Sequence, residues 1–216
     1  MLVDQAAGLR RVLAPPALQT RFITGVSAAT AHSAITADIA VALADQGREV
    51  LLIDAANVAQ GAAWLLGCEE LPDLMDAVCG ARDIREIAAT PRAGLRVLCA
   101  SRFLQGWQRL QERNLGSLAQ ALATICQDFD VLLVDAPMAT IGSLPLADNP
   151  VIITRTDPDS ITRTYRLLKR EGPALARKQV SVLLLEDDAA CDSATVYGNL
   201  ATTTSQFLGL PLSSLG

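Results

Sequence analysis

The chain has 216 residues, 50% of them apolar and 19% charged, a length that fits one domain with at most a short appendage and a composition that excludes a disordered chain. Its net charge of -5 and pI of about 4.9 disfavour a non-specific nucleic-acid binder, which needs surplus Lys and Arg to displace counterions. No apolar run approaches the ~20 residues that span a bilayer, and the N-terminus lacks the apolar core of a signal peptide. A single histidine argues against a zinc site, and Cys68, Cys79, Cys99, Cys126 and Cys191, odd in number and never in a CxxC, read as buried apolar residues in a reducing cytoplasm.

Residues 4–13 read as a short helix, with Asp4 as N-cap, Ala6, Leu9, Val12 and Leu13 on one face, and Pro15-Pro16 as its stop. A linker over residues 14–20 leads into the candidate first strand RFIT (21–24) and a small-residue loop, GVSAATAH (25–32). A helix is expected over 33–46 and stops at Gly47. REVLLID (48–54) reads as a strand, 71–79 and 83–89 as short helices, and GLRVLCA (94–100) as a strand. Helix 108–127 precedes the strand FDVLLVDAP (129–137), and NPVIITRT (149–156) precedes a helix over 158–170. QVSVLLL (179–185) and a helix over 193–207 complete the pattern. Continuously apolar strands separated by helix-length segments imply an α/β fold: a mostly parallel twisted sheet with helices on both faces.

In open α/β sheets, ligands bind beyond the carboxyl ends of the strands. Thr24-Gly25, Asp54 and Asp135 stand at such ends. A strand, a small-residue loop, a helix and a distant apolar strand ending in Asp outline a P-loop nucleotide site, in which a helix N-terminus cradles phosphates and the distal Asp supports Mg²⁺. On that outline alone, an ordinary strand–loop–helix without ligand stays equally open. For Asp54 and Asp135 the alternative is a strand-end carboxylate that caps a nearby helix. For His32 it is a polar loop residue without ligand. Among the two tryptophans, Trp64 beside Leu65 and Leu66 is expected in the core, whereas Trp107, between Gly106 and Gln108, is open. Arg163, Arg166, Lys169 and Arg170 share a helix face opposite Ile161, Tyr165 and Leu168 and are expected to be a solvated face.

ADIAVALADQGREVLLIDA (37–55) resembles the stretch after the nucleotide loop in the MinD/ParA family of P-loop ATPases. FDVLLVDAP resembles that family's Walker B strand, and DPDSITRTYRLLK (157–169) its PxPxSITDAYxLIK segment. DQAAGLR (4–10) resembles the DQAxxLR activator helix of the family's flagellar-number regulators, the FlhG (FleN) type. The resemblance implies a division into an activator helix with a Pro-rich linker (1–20) and a MinD-like domain (21–216) that lacks the membrane-targeting helix of the family.

Carried across position by position, the resemblance implies a degenerate nucleotide site at Gly25, Ser27, His32, Ser33, Asp54, Ala56 and Asp135. Against the family loop KGGxGKT, Ser27 falls at the first lysine, Ala28, Ala29 and Ala31 at glycines, His32 at the second lysine and Ser33 at the Mg²⁺-binding hydroxyl. Ser33 and Asp135 keep the chemistry of their positions. Ala56 stands where the family has its water-activating Asp, and VLLLEDD (182–188) lacks the adenine-reading Asn. A Cβ at a glycine position costs roughly 1–2 kcal/mol wherever the loop needs a left-handed residue. Phosphoryl transfer depends on positioning and charge stabilisation, so the resemblance, with both lysines and the acid gone, implies no catalytic residue, no resident metal and no required cofactor. Gly25, Ser33 and the helix N-terminus leave weak ATP or ADP binding with Mg²⁺ open.

The helix at the N-terminus keeps its motif. Asp4, Gln5, Ala6, Leu9 and Arg10 are the implied contact set for an FlhF-type signal-recognition GTPase, whose hydrolysis Gln5 would promote. Flagellar regulators or C-ring components are further implied partners, while nucleic acid and direct membrane binding are not expected. The implied function is a pseudo-ATPase controlling flagellar number or placement from the cytoplasm. A weakly active MinD/ParA-type ATPase, or a MinD-like scaffold of another secretion or polarity system, are the alternatives.

Overall fold

A computed structural model of the chain describes residues 19–25, 29–56, 61–106, 116, 122, 125–140, 149–186 and 192–215. Eight strands form one sheet: β1 (Gln19–Gly25), β2 (Val50–Asp54), β3 (Ala89–Arg92), β4 (Leu95–Cys99), β5 (Val131–Asp135), β6 (Pro150–Arg155), β7 (Val180–Leu185) and β8 (Leu212–Ser214). Their order is β3-β4-β2-β5-β1-β6-β7-β8. Every pairing is parallel except that of the edge strand β3 with β4. The helices are α1 (Ala29–Asp45), α2 (Ala62–Leu65), α3 (Leu74–Val78), α4 (Ser101–Gly106), α5 (Pro158–Leu175) and α6 (Ser193–Leu208). The expected α/β class and parallel sheet are present.

The apolar strands are buried on both faces, so alternate residues feed two cores. On one face Phe22, Leu51, Ile53, Leu132 and Val134 join Leu168 and Leu175 of α5. On the other, Ile23, Val50, Leu52, Val131 and Leu133 meet Ala37 and Ala40 of α1. The small alanines let α1 lie close to the sheet. The chain leaves β1 for β2 on one side of it and later reaches β6 on the other, so the carboxyl end of β1 is where the strand order reverses and a crevice opens.

Several boundaries differ from the sequence reading. β1 starts at Gln19, inside the expected linker, because its backbone pairs with β5 from Gln19↔Val131 onward. Helix α1 starts at Ala29 rather than residue 33, since alanine is the best helix former and several stand here where the related loop has glycine. The cost of left-handed alanines therefore does not arise at Ala29 and Ala31: Glu70 is the one non-glycine residue with positive φ among those described. Residues 83–88 are irregular, with a turn at 84–86, rather than helix, and Ala89–Arg92 is a strand joined to β4 by Ala93-Gly94, with Gly94 at φ +74. Helix α5 continues five residues past its expected end, through Pro173, because Leu168 and Leu175, two turns apart, are both fully buried. Most of the expected helix 108–127 lies outside the described residues, as do the N-terminal helix with Asp4, Gln5, Ala6, Leu9 and Arg10, and Trp107 and Cys191.

The cysteine and Trp64 expectations are corrected. Cys79 is exposed, and Cys68, Cys99 and Cys126 are only half-buried free thiols. Trp64 is 44% exposed on α2, because that four-residue helix buries only Ala62 and Ala63. The face of α5 with Arg163, Arg166, Lys169 and Arg170 is exposed, as expected.

Beside β4, one buried carboxylate holds two helices. Asp73 Oδ1 accepts from the backbone N–H of Met75 in α3 and Phe103 in α4, both at 2.9 Å, and Oδ2 accepts from Arg102 N–H at 2.9 Å. Its own N–H donates to Asp76, completing a capping box. Replacing Asp73 by Ala strands three helix-terminal donors, each worth about 1–3 kcal/mol when buried. Asp73→Ala is therefore expected to lower the free energy of unfolding in urea by about 3–5 kcal/mol, and Asp73→Asn, which keeps one acceptor, by less. A loss below about 1 kcal/mol for the alanine variant would contradict this role.

Candidate functional site

The period-two alternation that places Leu52 and Leu133 under α1 delivers Asp54 and Asp135 to the same face one step later. The two residues are direct neighbours, in register across β2 and β5, and Ile23 of β1 is in register with Asp135. Two carboxylates thus converge at the carboxyl end of the sheet, beneath the N-terminal turns of α1. Both are buried, Asp135 completely. A buried carboxylate must be paired or satisfied by hydrogen bonds, and the two solve this differently.

Asp54 is satisfied by backbone. Its Oδ2 accepts from Ala63 N–H at 2.8 Å and its Oδ1 from Ala56 N–H at 3.1 Å. It caps α2 from a distance, because the N-cap Gly61 has no side chain to do so. A Cβ on Gly61 would stand 2.5 Å from Asp54 Oδ2, so the glycine makes room for the carboxylate. Burial is the largest influence on Asp54 and raises its pKa from 3.8 to about 6, with Asp135 adding to the rise and the two N–H groups and His32 opposing it. The helix-capping alternative is the one realised for Asp54.

Asp135 faces His32. The imidazole Nε2 lies 3.1 Å from Asp135 Oδ1, within ion-pair range but out of line for a hydrogen bond, so both atoms lack a hydrogen-bond partner among the described residues. His32 is 5% exposed on the first turns of α1, which overturns the reading of it as a loop residue. Its ring also lies against Gly25: a Cβ there would be 2.8 Å from His32 Cβ and 3.2 Å from both Cγ and Nδ1. Ser33 is fully buried, and its Oγ, His32 Nδ1 and both Asp135 oxygens have no hydrogen-bond partner among the described residues. Such a group of unsatisfied buried polar atoms is uncommon and marks a site rather than a core.

The structure therefore gathers Gly25, His32, Ser33, Asp54 and Asp135, with Ala56 buried just beyond β2. Ser27 lies outside the described residues. Sequence reasoning missed Gly61, and it placed Thr24 with Gly25 at the end of β1. Thr24 is buried with an unpartnered Oγ1, but its parity with Phe22 directs it to the opposite face. A P-loop site would require this crevice to hold a Mg²⁺-nucleotide. Ser33 and Asp135 have the oxygen chemistry for Mg²⁺, but the space against Gly25 is filled by the imidazole, and the described residues of the crevice include no lysine. Next to it, beyond β2 and β4, a cleft of about 470 Å³ is lined by Asp54, Trp64, Glu69, Glu70, Asp73 and Arg102 among others. The described residues hold no group of three or more His, Cys, Asp or Glu able to bind a metal ion. No described helix is long and apolar enough to cross a membrane.

No protein-family model matches the chain. By sequence it is 25% identical over 203 residues to the antiactivator FleN of Pseudomonas aeruginosa, covering 92% of this chain and 72% of that protein. It is 24% identical to an uncharacterized ATP-binding protein of Methanocaldococcus jannaschii, over 64% of this chain and 53% of that one. Among solved structures, MinD in the MinC:MinD complex of Aquifex aeolicus matches with a TM-score of 0.61 at 20% identity, over 90% of this chain and 79% of that chain. A ParA family ATPase from Chlorobium tepidum matches with a TM-score of 0.63 at 16% identity, over 91% and 83%. The chain has the fold of the MinD/ParA-type P-loop ATPases, and the resemblance to them and to their flagellar-number regulators is borne out.

The raised pKa of Asp54 fixes the sign of a pH effect. Between about pH 4 and pH 6 the folded protein holds a proton that the unfolded chain releases. Stability from this group is full below pH 4, falls as pH rises through 6 and is lost above it. The stability difference between the native protein and Asp54→Asn, which does not titrate, should shrink by roughly 3 kcal/mol from pH 4 to pH 7. Urea unfolding at several pH values measures it, and a difference that grows with pH would contradict the assignment.

Proposed function

We propose that this chain is a non-hydrolytic regulator of the FlhG type, which controls flagellar number or placement in the cytoplasm through protein contact. The observation that carries the reading is the buried His32, 3.1 Å from Asp135, where a P-loop ATPase needs a permanent cation on the phosphates and a free carboxylate near Mg²⁺. An imidazole is shorter than a lysine side chain and brings no permanent charge to a triphosphate, and Ala56 supplies no acid to the attacking water. With hydrolysis gone, the part left to act is the N-terminal segment ahead of β1, which carries DQAAGLR.

In this reading Asp4, Gln5, Ala6, Leu9 and Arg10 form the contact with an FlhF-type GTPase, and Gln5 orients the attacking water in the partner's site. A glutamine does this without titrating, so the stimulation is independent of pH near neutrality. The similarity to FleN, an antiactivator by name, supports a regulatory role. The retained Ser33 and Asp135 favour one competing reading, a slow MinD-type ATPase.

Two measurements separate them. Added to an FlhF-type GTPase, the chain should accelerate GTP hydrolysis, and Gln5→Ala should lower the stimulated rate on the order of 100-fold, as loss of one positioned group does. Equal GTPase rates with and without the chain would remove the proposal. In a phosphate-release assay with Mg²⁺ and ATP, the chain alone should show no turnover, and turnover abolished by Asp135→Ala would establish the competing reading.

A further inference from the structure

We propose that His32 is an internal plug, a side chain that closes the phosphate position of the crevice by taking both its space and its charge partner. The proposal rests on the non-hydrolytic reading above and adds its cause. Loss of the lysines alone would leave an open, weakly attractive crevice at the N-terminus of α1. The geometry shows a closed one. The His32 side chain runs from Gly25, where an added Cβ would stand 2.8 Å from its Cβ and 3.2 Å from Cγ and Nδ1, to the carboxylate of Asp135, 3.1 Å from Nε2.

The ring thereby bridges the ends of β1 and β5, the two elements between which a P-loop site seats the phosphates and Mg²⁺. It is 5% exposed and Asp135 is fully buried, so neither group is reached without moving the ring. An imidazole and a phosphate are similar in bulk and cannot both lie against Gly25. Exposing Asp135 to a phosphate without a cation between them would add repulsion between two anions at low dielectric. The steric and electrostatic arguments point to one side chain.

A plug makes a prediction that simple loss of contacts does not: His32→Ala, which vacates the ring without adding a charge, should open the crevice and bind more tightly than the native chain. Lysine at this position has no ring and carries a permanent charge. One charge-assisted hydrogen bond to phosphate is worth about tenfold or more in affinity. The test is a fluorescence titration with N-methylanthraniloyl-ADP and Mg²⁺. The native chain should show no saturable binding at millimolar probe. His32→Lys should bind at least about tenfold more tightly, and Ser33→Ala in that background should weaken it again.

Circular dichroism establishes that the variants are folded. His32→Ala decides the plug, because a gain seen with His32→Lys and not with a folded His32→Ala reports the restored charge and overturns the plug. A folded variant that binds no better than the native chain overturns the plug while leaving the non-hydrolytic reading intact. Native protein that binds the probe and also releases phosphate from ATP overturns both.

Discussion

Two carboxylates side by side at the end of a parallel sheet are the constraint around which this molecule is arranged. Strand alternation leaves no choice: with Leu52 and Leu133 under α1, Asp54 and Asp135 must follow on the same face, in register and out of water. Each then needs compensation from the protein itself. Asp54 takes it from two backbone N–H groups, and a short helix begins where it does because that carboxylate caps it. Asp135 has no hydrogen-bond partner among the described residues and faces His32 Nε2 at 3.1 Å instead.

Most of the sheet was legible because burial on both faces leaves a plain signature, four to seven continuous apolar residues. Val50–Asp54 and Val131–Asp135 lie within one or two residues of their expected positions. The elements that escaped have no such signature. Helices α2 and α4, of four and six residues, are too short for a helical period to accumulate. Ile84 and Ile87, three apart, imitate a helical turn, yet both fill the core from an irregular segment. The edge strand β3 is held by its hairpin turn and its pairing with β4 rather than by residues of strand character.

The candidate site was legible in its carboxylates and in the chemistry missing around them, because strand ends in an open sheet are where function gathers. What His32 does was not legible. Its role depends on α1 starting at Ala29, which turns a residue read as part of a loop into one on a helix aimed at β5. Its contact with Asp135 spans about a hundred residues of sequence, and nothing local to either residue announces it. Asp54 was read as either a site residue or a cap, and only the position of Ala63 separates the two.

In the proposed reading, the fold shared with MinD/ParA-type ATPases is held in one arrangement, because His32 lies within ion-pair distance of Asp135 at the end of the sheet. The central claim is that His32 and Asp135 close the phosphate position. The most direct measurement is a crystal structure of the native chain grown with millimolar Mg²⁺-ADP. The account predicts the imidazole against Gly25, beside Asp135, with no nucleotide at the N-terminus of α1. Clear phosphate density over Ser33, with His32 turned out of the crevice, would contradict it.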